Sequence, residues 1–194
     1  MKWKREDFFG NAVETARKLI GAVLVSRTEE GIVRGRITEC EAYGGTWEGR
    51  PDDAAHAYKG LTDRTRIIFG EGGYAYVYLI YGRYSCFNVV CGLKGDGVCV
   101  LIRSLEPLEG IPLMEKRRGR KNHLTDGPGK LTMAFGIDRA LYGEDLTGDR
   151  LWIESEKGRT FPLEVTKRRN IDYAEYGKDF PWRFTLKGSS FLSR

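Results

Sequence analysis

Apolar and polar positions alternate with period two along much of this chain, most plainly over 74–90. There two β-branched and aromatic runs, Tyr74 to Ile80 and Tyr84 to Val90, flank Tyr81-Gly82-Arg83, the pattern of a β-hairpin. Alternation places Tyr74, Tyr76, Tyr78 and Ile80 on one face and Ala75, Val77 and Leu79 on the other, and the aliphatic face is expected to be the buried one. The apex would hold a ring, Tyr81, and a guanidinium, Arg83, on a stiff ribbon where a core needs neither. Such a tip suits insertion into a nucleic acid groove, with the ring wedged into the stack and the cation on a phosphate. A plain sheet with solvent-facing tyrosines shares the pattern.

Other elements follow from the same reading. Asn11 caps a helix with Glu14 at the capping-box position and Ala12, Ala16, Leu19 and Ile20 on one side, ending near Gly21. Strands over 22–27 and 32–43, turned by Glu29-Glu30-Gly31, form an antiparallel pair. Pro51 to Tyr58 reads as a short helix with His56 near its end. An apolar strand runs from Val98 to Ile102 and ends at Arg103; a helix starts near Leu108 and enters a mobile basic segment ending around Lys121. Asp126 is expected to cap a helix that leaves at Gly136, with Lys130 and the helix N-terminus available to a phosphate. Further strands fall near 151–154, 161–166 and 183–186.

The strand over 32–43 carries unusual chemistry. By alternation Val33, Ile37, Glu39, Glu41 and Tyr43 share a face, so two carboxylates about 7 Å apart follow two aliphatic residues. That spacing fits carboxylates dividing labour at a glycosidic bond. Taken alone, it reads first as a strand end emerging into solvent with exposed glutamates.

Composition narrows the class. The chain has 194 residues, 41% hydrophobic and 30% charged, enough for the core of a single domain. No apolar run approaches a membrane span and no signal region follows the N-terminal charges, so a cytoplasmic protein is expected. A net charge of +5, with basic residues clustered at 116–121 and 167–169, favours a polyanionic partner. Cys40, Cys86, Cys91 and Cys99 lie in apolar strand-like sequence without a C-x-x-C pair, as buried thiols do. With only His56 and His123 and no metal-ligand motif, no catalytic metal is expected.

Five motifs then converge: Thr38-Glu39-Cys40-Glu41-Ala42-Tyr43, Asp53-Ala54-Ala55-His56, Tyr76 to Gly82, Cys86-Phe87-Asn88, and Leu101 to Gly110. In content and order they resemble the alkyladenine (3-methyladenine) DNA glycosylase family, over about Phe8 to Ser189. The resemblance implies a mixed α/β (α+β) fold in a single compact domain, with a curved antiparallel β-sheet, surrounding helices and a protruding DNA-inserting hairpin. It implies a monomer that flips damaged purines from double-stranded DNA and hydrolyses their N-glycosidic bond, with no cofactor. Glu41 would match the general base and Arg103 an active-site arginine beside it. Tyr78 would match the ring on which the base stacks, Tyr43 and His56 the opposite wall, and Asn88 the group that crowds the 2-amino substituent of guanine. Tyr81 would match the intercalating residue. Further DNA contacts are expected from Tyr76 and Arg83 on the hairpin, from Arg64 and Arg66 ahead of it, and from Lys130. Thr65, Tyr58 and Lys187 depart from the family pattern and bear on substrate range.

The rival from another class is a catalytically silent minor-groove binder using the Tyr81 hairpin, which would need no carboxylate at Glu41. A sugar glycosidase could use Glu39 and Glu41 but would not need a basic surface or a tyrosine wedge.

Overall fold

The long strand bearing the two glutamates changes its neighbour halfway along, and this change positions the site. The structure, a computed structural model, describes residues 1–194 apart from 156, 157 and 159. Helix α1 (Ala12–Leu19) starts where the Asn11 side chain accepts the Glu14 N–H at 2.9 Å, a cap worth about 1 kcal/mol, and it buries Ala12, Thr15, Ala16 and Leu19. Strands β1 (Val23–Thr28) and β2 (Gly31–Tyr43) pair antiparallel. After the two-residue strands β3 (Thr46–Trp47) and β4 (Arg50–Pro51) come β5 (Ala75–Ile80), β6 (Tyr84–Cys91) and β7 (Val98–Glu109). Helices α2 (Ile111–Arg118) and α3 (Pro128–Phe135) precede β8 (Leu151–Glu154), β9 (Leu163–Thr166) and β10 (Arg183–Leu186). An open eight-stranded sheet runs β5-β6-β7-β2-β1-β8, with β10 joining β2 and β9 joining β10. The result is a single mixed α/β domain with its main core between the helices and one sheet face.

On one side of β2, β1 covers residues 31–36 and β10 covers 39–41, while β7 runs along the other side. At the changeover the register against β7 slips twice, skipping Thr38 on β2 and then Arg103 on β7. Bulges of this kind re-aim side chains. A one-residue slip swaps faces, so the expectation of one continuous face from Val33 to Tyr43 is corrected. Val33 and Ile37 lie in the main core with Cys40 and Ala42, and Glu39 and Glu41 occupy the opposite face. Neither glutamate emerges into solvent; both are fully buried.

Other expectations are also corrected. Pro51 belongs to β4, and no helix spans 51–58, because the Asp52 carboxylate accepts the Gly44 and Ala54 N–H groups and holds a turn. A short 3₁₀ helix begins at His56 and ends at Lys59. Strand β7 continues past Arg103 to Glu109; beyond Leu101 it has no β6 partner, so Pro107 sits on an edge where its missing N–H is tolerated. The basic segment expected to be mobile is partly the last turn of α2, where Lys116 and Arg117 pair with Glu30. Gly127, not Asp126, is the N-cap of α3, and the Asp126 carboxylate instead binds Lys130 at 3.0 Å and His123 at 2.6 Å. All four cysteines are buried free thiols, as expected.

Candidate active site

Across the sheet face opposite the main core, register brings Glu41 (β2), Leu101 (β7), Asn88 (β6) and Tyr76 (β5) into one row. Glu41 and Asn88 are two strands apart, about 10 Å. Tyr78 and Cys86 form the next row toward the hairpin tip, and Tyr43 with Cys99 the row on the other side. All of these except Glu41 line a cavity of about 440 Å³ that also takes in His56, Arg64, Arg103, Arg169, Tyr173 and Ser193.

Glu41 lies immediately behind this wall. Its Oε2 accepts Tyr43 O–H at 2.8 Å and Arg103 Nη1 at 3.2 Å, and its Oε1 accepts the Arg169 backbone N–H at 2.8 Å. Three of its four lone-pair positions are therefore used among the described residues, leaving one on Oε1. Glu39 is saturated by comparison: Arg103 Nε, Arg183 Nε, Ser104 Oγ, and both the N–H and Oγ of Ser193 converge on it. Burial alone would raise the Glu39 carboxyl, but Arg183, the Ser193 N–H and Arg103 outweigh it and hold it below the usual carboxylate range. Arg103, buried between the two carboxylates, has its pKa raised: burial opposes the charged form, and Glu41 and Glu39 overcome it. Burial, reinforced by the Glu41 charge, keeps the Tyr43 phenol protonated.

The aromatic wall is tightly knit. His56 Nδ1 is 2.8 Å from Tyr76 O–H, and the His56 ring meets Tyr78 edge-on with centroids 4.8 Å apart. Burial, aided by Arg64 and Lys59, lowers the His56 pKa to about 4, so the imidazole is neutral at pH 7. Arg64 lies 4.9 Å over the Tyr78 ring. Asn88 is buried, its Nδ2 donating to the Tyr76 carbonyl at 3.1 Å. The aliphatic face of β5 is buried at Ala75 and Val77 as expected, but Leu79 near the tip is exposed, and Tyr76 on the aromatic face is itself buried.

At the apex the Arg83 N–H donates to the Ile80 carbonyl at 3.1 Å, with Tyr81 and Gly82 at φ of 52° and 64°. Positive φ at both central residues is a hairpin-turn signature that suits glycine and strains tyrosine. Tyr81 is nonetheless 92% exposed, so the core does not hold it there.

Of the residues singled out in the sequence, Tyr43, His56, Arg64, Tyr76, Tyr78, Tyr81, Asn88 and Arg103 line the cavity, with Glu41 behind them. Arg66, paired with Asp63, and Lys130, held by Asp126, do not; Arg83 stands near the Tyr84 ring at the tip. Sequence reasoning missed Arg168, which sits fully buried against Asp52 with its guanidinium 4.5 Å over the Tyr43 ring; within a basic run it was indistinguishable from a surface charge. It also missed Ser193 and Tyr173, which no local pattern marks. Among the described residues, no cluster of His, Cys, Asp and Glu could hold a metal, and no helix is long and apolar enough to cross a membrane.

Comparison with known proteins gives the class of this chain: a DNA glycosylase, a hydrolase of N-glycosyl bonds that acts in repair of alkylated bases. It belongs to the methylpurine-DNA glycosylase family, whose profile matches residues 6–190. Similar proteins named "Putative 3-methyladenine DNA glycosylase" occur in Alkaliphilus oremlandii, 43% identical over the whole of both chains, and in Desulfitobacterium hafniense, 42% identical over 97% of each. One in Clostridium acetobutylicum is 43% identical over 100% of this chain and 98% of its own.

Proposed function

We propose that this enzyme flips alkylated purines, chiefly 3-methyladenine and 7-methylguanine, out of duplex DNA and hydrolyses their N-glycosyl bond with Glu41 as general base. The observation that carries the reading is the buried Glu41 carboxylate, fixed by three donors directly behind an aromatic cavity, with one lone pair to spare. In the reaction that lone pair takes a proton from a water whose oxygen bonds to the deoxyribose C1′. The bond from C1′ to the purine breaks, and its electron pair leaves with the base. A purine alkylated at N3 or N7 is cationic and departs neutral, so no acid is needed. A silent groove binder would have no use for this carboxylate.

The cavity wall argues for a substrate order. Tyr43, Tyr76, Tyr78, Cys86 and Cys99 all have raised pKa values, first through burial, and His56 is neutral, so these groups are poor proton donors to a leaving base near pH 7. Hypoxanthine and ethenoadenine, which leave as anions unless protonated, should therefore be excised more slowly than alkylated purines. Electron-rich tyrosines beside a neutral imidazole also suit a cationic base. Seating it between Tyr78 and His56 requires the rings to part from 4.8 Å to about 7 Å, twice a van der Waals contact. On this reading Asn88, with its Nδ2 held by the Tyr76 carbonyl, crowds a guanine 2-amino group. The reading takes the monomer as the working unit.

The test is incubation with duplexes that each carry one lesion, followed by alkaline cleavage at abasic product. Excision of 3-methyladenine that is lost in Glu41→Gln supports the reading. Absence of excision from every lesion duplex overturns it.

A further inference from the structure

The basic run Lys167-Arg168-Arg169 separates in the fold into three different environments. Lys167 pairs with Asp179 at 2.7 Å, and Arg168 is buried against Asp52. Arg169 is exposed and lines the cavity. Its backbone N–H is the donor on Glu41 Oε1, and the Ser193 carbonyl, at 2.8 Å from Nη1, is its one side-chain hydrogen-bond partner among the described residues. A guanidinium carries five N–H donors in a fixed fork. Four remain at a cavity that Arg64 and Arg194 also line, with no carboxylate paired to Arg169 among the described residues.

From this juxtaposition we propose that the Arg169 side chain is a subsite for a phosphate of the DNA backbone, the one flanking the flipped nucleotide. The inference rests on the glycosylase reading for its substrate and adds a contact to it. The flipped base occupies the aromatic cavity while its sugar stays tethered to phosphates on both sides, which must lie at the rim. Arg64 stands over Tyr78 on the hairpin side, and Arg169 comes from the segment beside Glu41. The fork matches two phosphate oxygens. Because one residue bonds Glu41 through its backbone and the phosphate through its side chain, the sugar is positioned against the Glu41 carboxylate by a single residue. Arg168, buried directly before it on Asp52 and the Ala42 carbonyl, holds the backbone that carries the anchor.

The test uses the intact protein and duplexes containing a tetrahydrofuran abasic analogue, in which the phosphate 5′ or 3′ to that site is replaced singly by a neutral methylphosphonate. Affinity is read by fluorescence anisotropy across a salt series, for wild type, Arg169→Gln and Arg169→Lys. Both variants keep the backbone N–H on Glu41. Arg169→Gln should weaken binding about tenfold and reduce the salt slope by about one, with Arg169→Lys recovering the slope. One of the two methylphosphonates should weaken wild type to the same degree and have no further effect in Arg169→Gln. If both proteins lose equally at each methylphosphonate, or wild type loses at neither, Arg169 does not bind that phosphate. Excision of 3-methyladenine from unmodified duplex is scored in parallel. Excision without this coupling overturns the subsite and leaves the glycosylase reading, and coupling without excision does the reverse.

Discussion

Glu39 and Glu41 are the same side chain two residues apart on β2, and their surroundings differ. Glu39 is fully committed, with two arginines, two hydroxyls and an N–H on it, whereas Glu41 keeps one lone pair on Oε1. Glu41→Gln preserves size but removes the base, so excision should fall at least about a hundredfold while duplex affinity stays near wild type. Glu39→Gln leaves Arg103 and Arg183 without their shared anion and should cost about 3 kcal/mol of stability, seen in the denaturant midpoint, with a smaller effect on the chemical step. Excision by Glu41→Gln at a rate close to wild type would exclude the assignment. The neighbouring wall has its own signature. His56 has a folded pKa of about 4, below its unfolded value of about 6.5, so the unfolded chain takes up the proton first. The stability tied to neutral His56 is present above pH 6.5 and is lost as pH falls toward 4. Denaturation across that window should show His56→Gln losing less stability than wild type, and parallel losses would mean His56 is not the titrating group.

At the scale of elements, the hairpin of β5 and β6 tests whether binding and chemistry separate. Tyr81→Ser removes the exposed ring and should weaken the flipped state, at on the order of 1–3 kcal/mol for the lost stacking. A 2-aminopurine beside the lesion should then brighten less with Tyr81→Ser than with wild type, while Glu41→Gln preserves the signal. Equal loss in both variants would mean the tip is not the wedge. The hairpin and α1 were readable from sequence because both depend on local signals, alternation around a glycine-containing turn and Asn11 with Glu14. The course of β2 was not. Alternation assigns one phase to 33–43, and the slips at Thr38 and Arg103 come from exchanging β1 for β10, a pairing of residues more than 140 positions apart. Pro51 misled for a related reason. Its helix-starting pattern is real, but Asp52 is taken by Arg168, 116 positions later. The motifs singled out residues that the fold brings together, Glu41 and the cavity wall, while the contacts from Arg168, the Arg169 N–H and Ser193 arise only when distant segments meet.

For the molecule as a whole, a net charge of +5 and a sequence pI near 9 say that a polyanion is attracted but not which basic residues meet it. The fold divides them. Lys116 and Arg117 share Glu30 in the turn just before β2, and from Gly31 to Glu41 that strand extends roughly 30 Å, several Debye lengths at physiological salt. Arg64 instead lines the cavity, over Tyr78. Affinity for duplex should fall steeply and linearly on logarithmic axes as salt rises, with the slope set by the phosphates neutralised. Arg64→Gln should lower that slope by about one. Lys116→Glu, a larger change in charge, should leave it unchanged, because its partner is Glu30 and the site is far away. Titrations at four or five salt concentrations decide the matter. A slope lowered by Lys116→Glu would place α2 against the DNA and extend the binding surface along β2 to the far end of the sheet.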